Sequence, residues 1–173
     1  MPEDLASRLE IHSGDITQLE VDVIVNAANS ALRPGGGVCG AIHRAAGPEL
    51  AEACKRIGGC PTGEARATDA FELKAKRVFH AVGPVWEGGG RDEAGLLASC
   101  YRSCLKMAVQ EGLTSIAFPA ISTGVYGFPL AEASEIAVAT AREFLAKDHK
   151  LERVVFCVFG PDAEQAYRLA LGR

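Results

Sequence analysis

Val21-Asp-Val-Ile-Val25 runs directly into Asn26-Ala-Ala-Asn29, and Pro34-Gly-Gly-Gly-Val-Cys-Gly-Ala-Ile-His-Arg-Ala-Ala-Gly47 follows shortly after. The apolar run reads as a buried strand. Gly35 to Gly37 strip every side chain from the turn behind it, and Val38 to Ala46 has helical composition, stopped by Gly47-Pro48. A strand, a glycine loop and a helix start bring free backbone N–H groups and the positive end of a helix to one point. That suits an anionic group such as a diphosphate. Taken alone the run leaves two readings open, a diphosphate cradle and an ordinary flexible loop between strand and helix.

Working outward, Arg8 to Ser13 alternates and reads as a first strand. Gly14-Asp-Ile-Thr-Gln18 reads as a helix start, with Asp15 as cap and Gln18 as its capping-box partner. The central strand spans Val21 to Ala27. Pro48 to Ile57 is predicted as a helix opened by proline and closed by Gly58-Gly59. Gly63 to Ala70 alternates in part, and Arg77 to Val82 is a clearer strand. Gly83-Pro84 begins a loop through Trp86 and Gly88 to Gly90, whose glycines leave its conformation open. Asp92 to Glu111 has the spacing of a long amphipathic helix. Ser115 to Ala120 is a short buried strand, Ile121 to Pro129 a second glycine-bearing loop, and Leu130 to Ala146 an alanine-rich helix. Arg153 to Phe159 is a continuous apolar strand, and Gly160-Pro161 leads into a last helix through Leu171. Helices alternate with strands that are apolar on both faces, so the fold class is α/β, a mostly parallel sheet covered on both sides. No internal repeat or linker interrupts residues 1–173, which are expected to form one domain.

Composition narrows the function. With 48% hydrophobic and 23% charged residues the chain is of ordinary globular type. A net charge of −4 argues against bulk nucleic-acid binding but not against a small anion held by backbone amides. No apolar stretch approaches the roughly 20 residues of a membrane span, and Met1-Pro-Glu-Asp4 lacks the features of an export signal, so a cytoplasmic location is expected, and a monomer is expected separately. Six cysteines occur without Cys-x-x-Cys spacing. Cys100 and Cys104 share a helix face with Leu97, Tyr101 and Leu105, which reads as burial of small hydrophobes, with a metal pair as the alternative.

Ligands on such sheets bind beyond the carboxyl ends of the strands. Two loops have that position, Asn26 to Gly40 and Ile121-Ser-Thr-Gly-Val-Tyr-Gly-Phe128. Their spacing matches neither a dinucleotide fingerprint nor a P-loop with its lysine. A nucleotide diphosphate held entirely by backbone follows from the residues themselves.

The same residues carry a family resemblance. Gly14-Asp-Ile-Thr17, Val25-Asn-Ala-Ala-Asn29, Gly35 to Gly47, Pro61-Thr-Gly-Glu-Ala65, His80-Ala-Val-Gly-Pro-Val-Trp86 and Ala117 to Gly127 resemble, in order, the blocks of the macrodomain family. The likeness is to its MacroD-type branch, which binds ADP-ribose. The resemblance implies a three-layer α/β/α sandwich with a mixed, mostly parallel central sheet. It also implies hydrolysis of mono-ADP-ribosyl esters, on protein Asp or Glu side chains or in O-acetyl-ADP-ribose, without metal or other cofactor. ADP-ribose, ADP-ribosylated proteins and O-acetyl-ADP-ribose are then the partners. A non-catalytic ADP-ribose reader is the alternative.

By that resemblance Asp15 accepts from the adenine amino group with the Ile16 backbone beside it, which is compatible with a capping role because a carboxylate has two oxygens. Phe159 stacks on adenine, or is a core aromatic. Asn29 bonds the distal ribose, or caps a turn. Gly35, Gly36, Gly37 and Val38, with Ser122, Thr123, Gly124, Val125 and Tyr126, offer N–H groups to the diphosphate, and Tyr126 packs over the distal ribose. Asn26 is read as a loop brace, and His43 and Arg44 as packing or loop support. One position departs from the family pattern: Cys39 stands where an aspartate usually follows Gly-Gly-Gly-Val. Cys39 is therefore read as a neutral wall whose catalytic role is open, with water oriented by the substrate's own diphosphate together with catalytic Asn29 and the glycine loop. A second reading makes Cys39 a nucleophile with His43, four residues on, as its base.

Overall fold

The computed structural model describes residues 2–173, with side chains from residue 5 onward. Strands β1 (Leu9–Ser13), β2 (Val23–Ala28), β3 (Ala65–Asp69), β4 (Arg77–Val82), β5 (Ser115–Phe118) and β6 (Arg153–Val158) form one six-stranded sheet in the order β1-β6-β5-β2-β4-β3. All neighbours are parallel except β3, which runs antiparallel to β4 at the edge. The helices are α1 (Pro2–Ser7), α2 (Gly37–Ala46), α3 (Pro48–Ile57), α4 (Glu93–Gln110), α5 (Leu130–Lys147) and α6 (Pro161–Leu171).

Side chains alternate across the sheet, so each apolar strand serves two cores. Val23, Val25, Phe79, Phe118 and Phe156 pack beneath α4, α5 and α6. Ile24, Val78, Val82, Ala117 and Val155 pack on the other face against Ile42, Ala46, Leu50 and Cys54 of α2 and α3. This is the three-layer arrangement with a mixed, mostly parallel sheet. Cys100 and Cys104 lie fully inside the first core, and among the described residues no group of three or more His, Cys, Asp or Glu is placed to hold a metal ion. Among the described residues no helix is long and apolar enough to cross a membrane.

The structure departs from the sequence reading at two places near the amino end. Residues 2–7 form a short helix where none is predicted. Gly14 to Gln18 yields only a single 3-10 turn, Ile16–Gln18. Asp15 does cap it, but Gln18 is the last residue of the turn and its side chain reaches Thr17 Oγ1 at 3.5 Å, so no capping box forms.

Candidate functional site

The parallel strands all end on one side of the sheet. There β2 and β5 are neighbours, yet β2 leads into α2 on one face while β5 leads into α5 on the other. Their loops part, and a cleft of about 740 Å³ opens between them. Every candidate site residue read from the sequence lines it: Asp15, Ile16, Asn29, Gly35 to Cys39, Ser122 to Tyr126 and Phe159.

The first wall is the glycine loop. Asn29 Oδ1 accepts from the Arg33 N–H at 3.0 Å and its Nδ2 donates to the Arg33 carbonyl at 2.8 Å, which closes the turn ahead of Gly35. Each of these side-chain atoms keeps further capacity for a ligand, so the two readings of Asn29 are compatible. Helix α2 starts at Gly37 with φ +56°, a conformation that favours glycine, and no side chain caps it. Its first N–H groups therefore have no intrahelical partner and bring the positive helix end to the cleft.

The second wall is the loop after β5. Thr123 sends both its N–H and its hydroxyl to the Ala120 carbonyl, and the Gly127 N–H bonds the Gly124 carbonyl. Among the described residues nothing accepts from the N–H groups of Gly124, Val125 or Tyr126. Ser122 is held at φ +68°, and its buried Oγ has no partner among the described residues. Backbone strain and an unused hydroxyl at a cleft are features of binding sites.

At the far end, β1 and β6 are paired, so the residues that follow them meet. The Gly14 N–H bonds the Val158 carbonyl at 3.0 Å. Asp15 Oδ1 accepts from Thr17 N at 2.9 Å and Thr17 Oγ1 at 2.7 Å, and neither bond uses Oδ2. Phe159 is 88% exposed, which removes the core alternative for it.

Cys39 is nearly buried in the wall of α2. Asn26 Nδ2 lies 3.6 Å from its Sγ, and the thiol's own acceptor is the Arg33 carbonyl at 3.8 Å. No hydrogen bond joins Cys39 to His43, whose Nδ1 is buried without a partner among the described residues, so the nucleophile and base pair is not assembled.

Residues 25–137 match the Macro domain, and over 91% of its length the chain is 56% identical to a Macro domain-containing protein of Chlorobaculum tepidum, of which 91% is covered. The chain belongs to the Macro domain family. It is also 54% identical over 167 residues to an O-acetyl-ADP-ribose deacetylase of Salmonella gallinarum, covering 94% of this chain and 93% of that protein. Among solved structures, the Trypanosoma brucei macrodomain in complex with ADP-ribose is similar, with a TM-score of 0.93 and 42% identity, over 99% of this chain and 73% of that one. The Oceanobacillus iheyensis macrodomain with ADP is similar too, with a TM-score of 0.90 and 43% identity, over 95% of this chain and 90% of that one.

Two residues that support the site of this macrodomain escape a reading of the sequence. Tyr101, fully buried on α4, accepts from the Ile121 N–H at 3.4 Å and fixes the start of the second loop. Glu93 looks like one more acidic residue opening a helix. Its carboxylate is buried and accepts from the N–H groups of Glu87 (2.8 Å), Gly89 (3.0 Å) and Arg91 (2.7 Å). That bonding, from Glu87 first, holds its pKa down at about 2. The loop so held presents Trp86, whose N–H bonds the Tyr126 carbonyl at 2.8 Å and whose ring packs on Phe128 with centroids 4.7 Å apart.

Because the folded value of Glu93 lies below its ordinary 4.5, its contribution to stability is complete above about pH 4.5 and is lost as the pH falls toward 2. Glu93→Gln is expected to speed amide exchange at residues 87, 89 and 91 and to flatten the acid branch of the stability profile in that window. Unchanged exchange at those three amides would show that the carboxylate does not hold the loop.

Proposed function

We propose that the chain binds ADP-ribose in the cleft and hydrolyses esters of it, namely O-acetyl-ADP-ribose and mono-ADP-ribosylated Asp or Glu side chains of proteins. The observation that carries this is the pairing of two loops with unused N–H groups across one crevice, closed at its far end by Asp15 and the exposed ring of Phe159. Relatives 54% identical that are named O-acetyl-ADP-ribose deacetylases support it. The loop amides hold the diphosphate, Asp15 Oδ2 accepts from the adenine amino group, and Asn29 bonds the distal ribose. With a thiol at position 39, the diphosphate itself accepts from the attacking water and aims it. A missing general base costs on the order of 10²–10⁴ in rate, so turnover is slow and real.

The test combines calorimetry with a deacetylation assay. ADP-ribose is expected to bind more tightly than AMP, and Asp15→Ala to weaken it by about 1–3 kcal/mol. Equal affinity for ADP-ribose and AMP would mean that the loops contribute nothing. O-acetyl-ADP-ribose and an ester-linked ADP-ribosyl protein are expected to release product, with Cys39→Ala keeping most of the activity and Cys39→Asp raising it. The thiol at position 39 favours a second reading, a module that binds ADP-ribosylated proteins without turnover, and label retained over hours with binding intact would select it.

A further inference from the structure

Behind Cys39, on the side away from the cleft, runs a buried chain of polar groups that the proposed reaction does not use. Its polarity is set at a main-chain carbonyl. Thr68 Oγ1 lies 2.9 Å from the Asp69 carbonyl and 2.9 Å from His80 Nε2. We assign the single hydroxyl proton to the carbonyl, which can only accept, so that the hydroxyl accepts from His80. The imidazole proton therefore sits on Nε2. Burial, and secondarily His43, pushes the His80 pKa down to about 4, so the ring is neutral and Nδ1 is a bare acceptor.

Asn26 stands opposite His80 in the register of β2 and β4, with its amide 3.1 Å from that nitrogen. Only the Nδ2 edge of the amide can serve a bare nitrogen, which fixes the amide's orientation. Asn26 Oδ1 is left buried with no partner among the described residues, an arrangement imposed from the His80 side and not chosen for the oxygen's benefit. The other Nδ2 proton faces Cys39 Sγ, so the thiol directs its own proton to the Arg33 carbonyl. That carbonyl also accepts from Asn29 Nδ2.

We propose that Asn26 and His80 are positioning residues, which present an N–H donor to the back of residue 39 and through the Arg33 carbonyl set the Asn29 amide at the mouth of the cleft. Of the titratable groups near the thiol, Cys54 and His43 are neutral near pH 7, while the Arg44 guanidinium reaches Gly40 beside it. Cys54 on α3, whose Sγ packs 3.7 Å from His80 Nε2, is pushed up to about 11 by burial and then by Cys39. His43, on the same helix as Cys39, is lowered by burial. The Asn26 amide is thus an oriented donor behind the thiol. Thr68, on the edge strand, controls that donor without lining the cleft.

The consequence for turnover rests on the proposed hydrolase activity, but the measurement does not. Nitrogen-15 NMR of the imidazole in the unmodified protein is expected to show the Nε2–H tautomer for His80, and the Nδ1–H tautomer would overturn the proposal. Thr68→Val removes the hydroxyl, frees the tautomer and lets the Asn26 amide turn its oxygen toward Cys39. Alkylation of Cys39 by iodoacetamide at pH 7, followed by mass spectrometry at that residue, is then expected to slow by about tenfold, because the N–H donor behind the sulfur is replaced by an acceptor. Thr68→Ser keeps the hydroxyl and should restore the unmodified rate. A core merely loosened by valine would speed alkylation, and faster or unchanged alkylation would also overturn the proposal. If Thr68→Val fails to fold, the tautomer in the unmodified protein decides alone. A protein that binds ADP-ribose without turnover would fail the deacetylation assay and still pass this one.

Discussion

Gly40→Ala is expected to cripple the cleft from outside it. A Cβ at Gly40 would lie 2.5 Å from the Gly35 carbonyl oxygen and 3.0 Å from Arg44 Nη1. The arginine end can swing away, but the carbonyl belongs to the loop that forms one wall of the cleft. To reach ordinary contact the loop must retreat by about an ångström. A displacement of that size at a positioned group costs on the order of 10²-fold in activity. ADP-ribose affinity is expected to fall with it, while the circular dichroism spectrum keeps its shape. Gly90→Ala is the control, since nothing lies within 4 Å of its added Cβ, and it should match the unmodified protein. Affinity within twofold in Gly40→Ala would show that the approach of helix to loop does not set the cleft.

The second large effect is on acid stability. His80 titrates near 6.5 in the unfolded chain and at about 4 when folded, so the unfolded state takes up its proton first as the pH falls. Its contribution is therefore fully present above pH 6.5 and is lost progressively as the pH drops through 4, a difference on the order of 3 kcal/mol. His43, also lowered by burial, acts in the same direction. Urea unfolding at pH 7.5 and pH 4.5 is expected to show a smaller drop in stability for His80→Gln than for the unmodified protein. An equal drop in both would mean that His80 is not held neutral by the fold. Glu93 acts from about pH 4.5 toward 2, so the two windows meet near pH 4 and the His80 effect alone is read above pH 4.5.

The sequence reveals most of this fold because strand composition and glycine placement are local signals. The apolar run before Asn26 and the glycines at 35 to 37 are enough to place a strand, a loop and a helix start. The run from Val154 to Val158 is equally plain, and the two loops facing the cleft follow the apolar strands that end at Ala28 and Phe118. Order and direction of strands are not local. Nothing in Ala65 to Asp69 says that it runs against β4, because alternation is the same in either direction. The pairing of Asn26 with His80 depends on register between strands far apart in sequence. Glu93 is hidden for another reason: an acidic residue at a helix start is explained by the helix itself, which masks its role in holding a loop. Phe159 shows the opposite limit, since an aromatic after an apolar strand fits a core or a stacking face, and only exposure separates them.

The pairing of β1 with β6 sets a timetable for ligand competence. Leu9 lies against Val154 and Ser13 against Val158, so the end of the cleft between Asp15 and Phe159 joins the earliest and latest strands of the chain. A ribosome delivers both glycine loops long before it delivers Phe159. Closing so long a loop is entropically costly and late in folding. An unfinished chain can hold both glycine loops of the cleft without its far end. Recognition of the whole ligand then certifies that the last strand has arrived.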